Sequence, residues 1–156
     1  KFLDEIVYSN IIINCAASTR PTSANDFYIN QDFPHFLQTY IKKKEINTFL
    51  IHISTNNVLI NERKDPYTIS KITQTKLAEH FFQEKKMPVT TLRIFTPYGR
   101  FDSPGRLICD LMLAIIRNKS VEIFSKYIKR DFVHIDDVLT SLEIASHSST
   151  TRQLPS

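Results

Sequence analysis

Thr48-Phe-Leu-Ile-His-Ile-Ser-Thr55, followed by Tyr67-Thr-Ile-Ser-Lys71, is the stretch whose pattern sets the fold. Thr48 to Ile53 is a continuous apolar, β-branched run, the pattern of a strand buried in a sheet. Two hydroxyl residues, Ser54 and Thr55, close it. Pro66 suits the first position of a helix running to Lys86, with Ile69, Ile72, Leu77, Phe81 and Phe82 as its apolar positions. Tyr67 and Lys71 stand four apart at its head, on one helix face, about 5–6 Å apart at Cβ. A cation beside a phenol favours the phenolate. Tyr67 is therefore expected to exchange protons near neutral pH, as carbonyl–alcohol chemistry requires. The spacing alone decides nothing, because Tyr40-Ile-Lys-Lys-Lys44 repeats it. No hydroxyl-ended strand closely precedes that second match. It reads as the basic end of an amphipathic helix, where cations suit the macrodipole.

Working outward, Ile11 to Cys15 predicts another buried strand, and the small residues after it predict a loop. Asp26 to Lys44 has helical periodicity, with Pro34 expected to kink or restart the helix. Val89 to Phe95 predicts a third strand. Pro104 to Asn118 predicts a helix with Ser103 as N-cap. Val121 to Phe124 predicts a short strand, and Asp136 or Asp137 a cap for a last helix to about Ser146. The tail from Ser148 is expected to fray. Strands alternating with helices give an α/β fold, a mostly parallel sheet with helices on both faces.

The length of 156 residues suits one domain, and 42% hydrophobic with 23% charged residues is the balance of a globular protein. No apolar run is long enough to span a membrane. Acids in Lys1-Phe-Leu-Asp-Glu5 stand where a leader would be apolar. Cys15 and Cys109 lie in apolar segments and read as buried free thiols. A cytoplasmic protein is expected. The net charge of +4 gathers in Lys42-Lys43-Lys44 and Lys85-Lys86, at helix ends. That placement argues against nucleic acid as partner and leaves room for a basic pocket taking a phosphorylated small molecule. The five histidines have no ligand spacing, so no metal is expected. Only two glycines are present, Gly99 and Gly105. The first turn of a dinucleotide-binding fold alone needs several.

Six segments, in order, carry a resemblance: Ile12-Ile-Asn-Cys-Ala16-Ala17, Tyr28-Ile-Asn30, Ile53-Ser54-Thr55, Tyr67 with Lys71, Leu92-Arg-Ile-Phe95-Thr96-Pro-Tyr-Gly99, and Arg130-Asp-Phe-Val-His-Ile-Asp-Asp137. Together they resemble the extended short-chain dehydrogenase/reductases, in the NAD-dependent epimerase/dehydratase family acting on nucleotide sugars. The resemblance implies a partial Rossmann-like parallel sheet plus the start of a small substrate lobe. Residues 1–156 would be a single incomplete domain: 1–100 the second half of a dinucleotide-binding fold, 101–156 part of the lobe. It implies Tyr67 as acid/base, Thr55 sharing its hydrogen bond, and Lys71 on the nicotinamide ribose. NAD or NADP is the implied cofactor, touched by Ala16, Ala17, Asn30, Ser54, Lys71 and Phe95. A nucleotide sugar is the implied substrate, met by Thr96 and by Arg130, whose planar fork suits a phosphate.

The departures are specific. The family's glycine-rich first half is missing from this chain, and with it most of the cofactor site. The interval from Thr55 to Tyr67 is short, and Thr96 stands where the family has Asn. Phe124-Ser-Lys126 replaces a glycine-bearing turn. By the same resemblance, the C-terminal part of the lobe is expected to be cut away. Thr55-Asn56-Asn57 offers no acid for dehydration, which tilts the expectation towards an epimerase or reductase. The chain is expected to bind dinucleotide poorly alone, to expose a sheet edge, and to form a homodimer or be completed by another chain. The alternative is an inactive remnant serving as an interaction or assembly module.

Overall fold

The computed structural model describes residues 5–19, 27–59, 65–123, 127 and 129–150. The elements are β1 (Ile11–Asn14), a π turn (Tyr28–Asp32), α1 (Phe33–Lys43), β2 (Phe49–Thr55), a 3-10 turn (Asn56–Leu59), α2 (Pro66–Gln83), β3 (Val89–Ile94), β4 (Thr96–Tyr98), α3 (Leu107–Ile116), β5 (Phe132–His134) and α4 (Ile135–Thr150). They fall into two compact units, Lys1–Arg93 with Ala145–Ser156, and Ile94–Ile144.

The first unit holds a sheet in the order β1-β2-β3. β1 and β2 are parallel, with Ile11 opposite Phe49 and Asn14 opposite His52. β2 is the central strand: Leu50, Ile51 and His52 are all fully buried, so both its faces are covered. Leu50 joins Leu37 and Ile41 of α1, Ala78 and Phe81 of α2, and Ile6, Met87 and Val89 in one apolar core. Pro34 restarts the helix. It sits in the first turn of α1, where its missing N–H costs nothing, and the residues before it wind as a π turn.

Several expectations need correction. β1 is not a buried strand: it ends the sheet order, and Ile11 and Ile13 are 38% and 43% exposed. Cys15, just beyond it, is exposed, and Cys109 half-buried; both are free thiols. α2 buries the expected apolar row only in part: Phe81 joins the core and Leu77 packs against it. Ile69 and Phe82 are exposed, and the buried side chains of its first turns are Thr68, Ser70, Lys71, Gln74 and Thr75, with Ala78 and Phe81 following. α3 starts at Leu107 rather than Pro104, and its cap position is Arg106, not Ser103. No side chain caps it; Asp110 of its first turn instead accepts from the Gly105 N–H, just before the cap position, at 2.9 Å. Val121 to Ile123 form no strand, and the remainder of that segment lies outside the described residues. Asp136 and Asp137 sit inside the first turn of α4, which favours acids but is not the cap. The leader reading of Lys1 to Asp4, the Phe124-to-Lys126 replacement and the tail from residue 151 also lie outside them.

Helix ends show how the chain manages with two glycines. α1 closes with Glu45 in left-handed geometry (φ 53°). Ile46 N–H donates to Ile41 O (3.1 Å) and Glu45 N–H to Lys42 O (3.2 Å). That is the double closure usually given to glycine. α3 ends the same way on Asn118 (φ 50°).

In the second unit β4 and β5 pair in parallel, Thr96 with Phe132 and Tyr98 with His134. Three-residue strands carry too little alternation to be seen in sequence. Gly99, at φ +146°, follows β4, and a Cβ there would stand 2.5 Å from Ile135 Cγ2. Only glycine fits that approach.

Candidate active site

Asp65 begins the site. Its carboxylate caps α2, accepting from Thr68 N (3.0 Å) and from Thr68 Oγ1 (2.7 Å). Tyr67 and Lys71 follow on the first two turns. Tyr67 is half-buried, and among the described residues its hydroxyl has no hydrogen-bond partner. Burial raises its pKa, and the Asp65 carboxylate raises it further. The expected lowering by Lys71 is therefore overturned: a capping carboxylate and desolvation set the phenol. Tyr67 rests protonated.

Lys71 is 2% exposed. Its ammonium donates to Ile53 O and to Gln74 Oε1, each at 2.9 Å. Burial lowers its pKa to about 8, with coupling to Cys15 pulling the other way. An ammonium carries three N–H donors, and among the described residues the third has no acceptor. Thr55, at the end of β2, accepts from Asn57 N at 3.3 Å and donates to Asn56 Oδ1 at 3.4 Å. Both bonds are long, so the hydroxyl is free to be re-aimed. Ser54 is committed elsewhere, against Thr75 Oγ1 at 3.3 Å.

Asn30 holds the loop after β1. Fully buried, its Oδ1 accepts from Ser18 N (2.8 Å), and its Nδ2 donates to Ser18 O (2.8 Å) and Ser70 Oγ (3.1 Å). Ser70 in turn donates to Tyr67 O at 2.7 Å. One asparagine thus ties the Ala16-to-Ser18 loop to the turn bearing Tyr67. Ala16 and Ala17 are exposed on that loop.

The first unit accordingly brings together Thr55, Tyr67, Lys71, Asn30, Ala16 and Ala17. Phe95, Thr96 and Arg130 belong to the second unit. There Thr96 and Arg130 line one cavity of about 300 Å³ with Tyr98, Asp102, Arg106 and Phe132. Arg106 is pinned by Asp102 (3.0 Å) and donates to Pro97 O (2.7 Å). Phe95 is 41% exposed. A larger cavity in the first unit, about 500 Å³, is lined by none of the expected site residues. Among the described residues no group of His, Cys, Asp and Glu could hold a metal, and no helix is long and apolar enough to cross a membrane.

Five residues here escaped the sequence reading: Asp65, Arg106, and the buried set His52, Gln74 and Asn14. Gln74 lies three after Lys71, on the same helix face, a usable signal. His52 and Asn14 had none, since a polar residue inside an apolar run reads as noise until its partners are known.

The profile of the NAD dependent epimerase/dehydratase family matches residues 2–151. A probable UDP-glucuronate 4-epimerase from Rhizobium meliloti is 29% identical over 82 residues, covering 52% of this chain and 24% of that protein. Among solved structures, dTDP-glucose 4,6-dehydratase from Bacillus anthracis, in complex with NAD, superposes with a TM-score of 0.76 at 21% identity, over 88% of this chain and 47% of that one. UDP-glucuronic acid 4-epimerase from Bacillus cereus, with UDP-glucuronic acid and NAD, gives 0.72 at 25%, over 92% and 50%. The chain spans about half the length of these solved relatives. With a profile matched over nearly all of it and a fold shared with Rossmann-type enzymes, the chain belongs to the NAD-dependent epimerase/dehydratase family.

Proposed function

We propose that this chain supplies the acid/base and substrate-binding half of a nucleotide-sugar epimerase or reductase. The observation that carries this is Lys71: an almost fully buried ammonium, anchored twice, with one N–H unspent among the described residues, one helix turn beyond a protonated phenol that is likewise without a hydrogen-bond partner among them. A buried charge is costly to maintain without a task.

The residues present fit the nicotinamide-ribose end of a dinucleotide. They do not fit its pyrophosphate end, for which a chain with two glycines has no glycine-rich turn. A bound nicotinamide supplies hydride chemistry. The solved relatives named above hold NAD, and a further fold neighbour, from Pseudomonas aeruginosa, holds NADPH; which of the two this chain uses is left open. Lys71 would hold a ribose hydroxyl of that cofactor with its third N–H. Tyr67, resting protonated, gives its proton to a sugar carbonyl oxygen and recovers it from the alcohol in the reverse sense. Thr55 releases its long bond to Asn56 and donates to the same sugar oxygen. Asn30 fixes the loop of Ala16 and Ala17 that flanks the cofactor. In the second unit Arg130 and Arg106 take the nucleotide's phosphates and Thr96 a sugar hydroxyl. The absence of an acid in Thr55-Asn56-Asn57 favours epimerisation or reduction over dehydration.

The test is to join this chain to the preceding half of the Bacillus cereus epimerase and supply UDP-glucuronic acid, UDP-glucose and dTDP-glucose with nicotinamide cofactor. Interconversion or reduction of one of these sugars, followed by NMR, is the expected result. A folded fusion that binds cofactor and processes none contradicts the proposal.

A second reading, as an assembly module, rests on β1. Its exposed Ile11 and Ile13 on an edge strand invite pairing with another strand. Light scattering on Ile13→Lys reads it: loss of an oligomer supports pairing through β1, and an unchanged mass removes it.

A further inference from the structure

We propose that Gln74 and His52 are positioning residues for Lys71, acting through a buried run of hydrogen bonds whose donor and acceptor order is fixed from its far end. The inference rests on the reading of Lys71 as the functional cation of the site.

The order can be worked out atom by atom. Asn14 accepts from Ala16 N through Oδ1 (3.1 Å), so its Nδ2 is the group facing His52 Nδ1, at 3.1 Å. Gln74 accepts from Lys71 through Oε1, so its Nε2 faces the same ring nitrogen, at 3.3 Å. Two amide donors converge on His52 Nδ1. That nitrogen must be bare, and the ring neutral with its proton on Nε2. His52 is fully buried, which disfavours its charged form in the same sense.

The other edge of the ring agrees. The Gln38 amide lies 3.0 Å from His52 Nε2. With its nitrogen facing the ring, two N–H groups would oppose each other, and Gln38 Oε1 would be buried without a partner. The opposite amide orientation has the same shape and lets Oε1 accept from Nε2–H.

The consequence falls on Lys71. Gln74 cannot turn its amide without losing both its bond to His52 and its bond to the ammonium. Its oxygen is thereby held towards Nζ, and the ammonium is fixed between Ile53 O and Gln74 Oε1 with one N–H that has no acceptor among the described residues. A merely structural histidine cluster would glue β1, β2, α1 and α2 together without favouring one glutamine over the other.

Gln74 and Gln38 make that contrast testable. Both are fully buried and both bond His52, on opposite sides of the ring. Gln74→Met and Gln38→Met are made in a Cys15→Ser background, because Cys15 is coupled to Lys71. The Lys71 side chain is followed by carbon-detected NMR through alkaline pH, where His52 stays neutral and Tyr67 on the same helix is read separately. Loss of a hydrogen bond to an ammonium is expected to lower the Lys71 midpoint by about one pH unit or more in Gln74→Met, and to leave it within a few tenths (~0.3) in Gln38→Met. Equal shifts in both, or none in either, overturn the proposal. A readout on the unaltered chain stands if Gln74→Met does not fold. Nitrogen NMR of His52 is expected to show a bare Nδ1 over a protonated Nε2 at neutral pH, and a protonated Nδ1 overturns the proposal. Neither measurement needs cofactor or substrate, so a failed turnover test of the proposed function leaves them intact.

Discussion

Replacing His52 by Gln should change how the stability of the chain depends on acid. Burial, and next the Lys71 charge, lower the ring's pKa from 6.5 to about 4. Between those values the unfolded chain binds a proton that the folded chain refuses. Acid therefore drives unfolding, and stability rises with pH through this window, levelling off above 6.5. The whole window is worth about 3 kcal/mol, of which about 2 kcal/mol falls between pH 7 and pH 5. Carboxylates titrate nearby, but they do so in both proteins. The difference between native and His52→Gln unfolding free energies, from urea titrations at a series of pH values, isolates the ring. The native chain should lose about 2 kcal/mol more than the variant on going from pH 7 to pH 5. Parallel curves would refute the reasoning, since they would mean a ring that takes up its proton as easily inside the fold as outside. A difference of opposite sign would mean that a carboxylate, rather than Lys71 and three amides, faces it.

Three further outcomes follow from the geometry. Asp65→Asn keeps an N-cap on α2 but removes the charge that raises Tyr67; the Tyr67 pKa, read by ring-carbon NMR, should fall while stability changes by only a few tenths (~0.3) of a kcal/mol, and an unmoved pKa counts against the assignment. Glu45→Gly relieves a left-handed backbone at the end of α1 and should stabilise the chain by about 1 kcal/mol in urea unfolding; no gain would mean that the Glu45 geometry is unstrained. Gly99→Ala forces a Cβ onto Ile135, costing about 2 kcal/mol or more; amide exchange should quicken across residues 94–144 and stay slow in β2, and uniform protection would contradict the contact.

Much of the frame was readable because it is written in local patterns. The apolar run ending in Ser54 and Thr55 is β2, and Pro66 opens α2 as its ring geometry demands. Tyr67, Lys71 and Thr55 could be named because each has a fixed place relative to those two elements. What escaped depends on partners distant in sequence. Ile69 and Phe82 look like core residues, but the inner face of α2 is given to Lys71 and Gln74, whose burial makes sense only beside His52 and Asn14. The phenol was expected to be tuned by its neighbour four residues on, whereas desolvation and the cap two residues earlier decide its charge. β4 and β5 are three residues each and exist only through their pairing. Cys15 and Ile13 sit in an apolar stretch that reads locally as buried; the exposed sheet edge was expected from the missing half-domain, and β1 is that edge.

The chain contains two Tyr-x-x-x-Lys matches, and only one lies after a strand closed by hydroxyls. The most direct measurement of the central claim compares them in the same fusion with the preceding half of the Bacillus cereus epimerase: the turnover rate of Tyr67→Phe against Tyr40→Phe. Loss of a positioned acid/base should slow Tyr67→Phe by about a hundredfold or more, with cofactor binding kept and Tyr40→Phe close to the unaltered rate. Equal rates in the two variants, or a larger loss from Tyr40, would contradict the assignment of Tyr67.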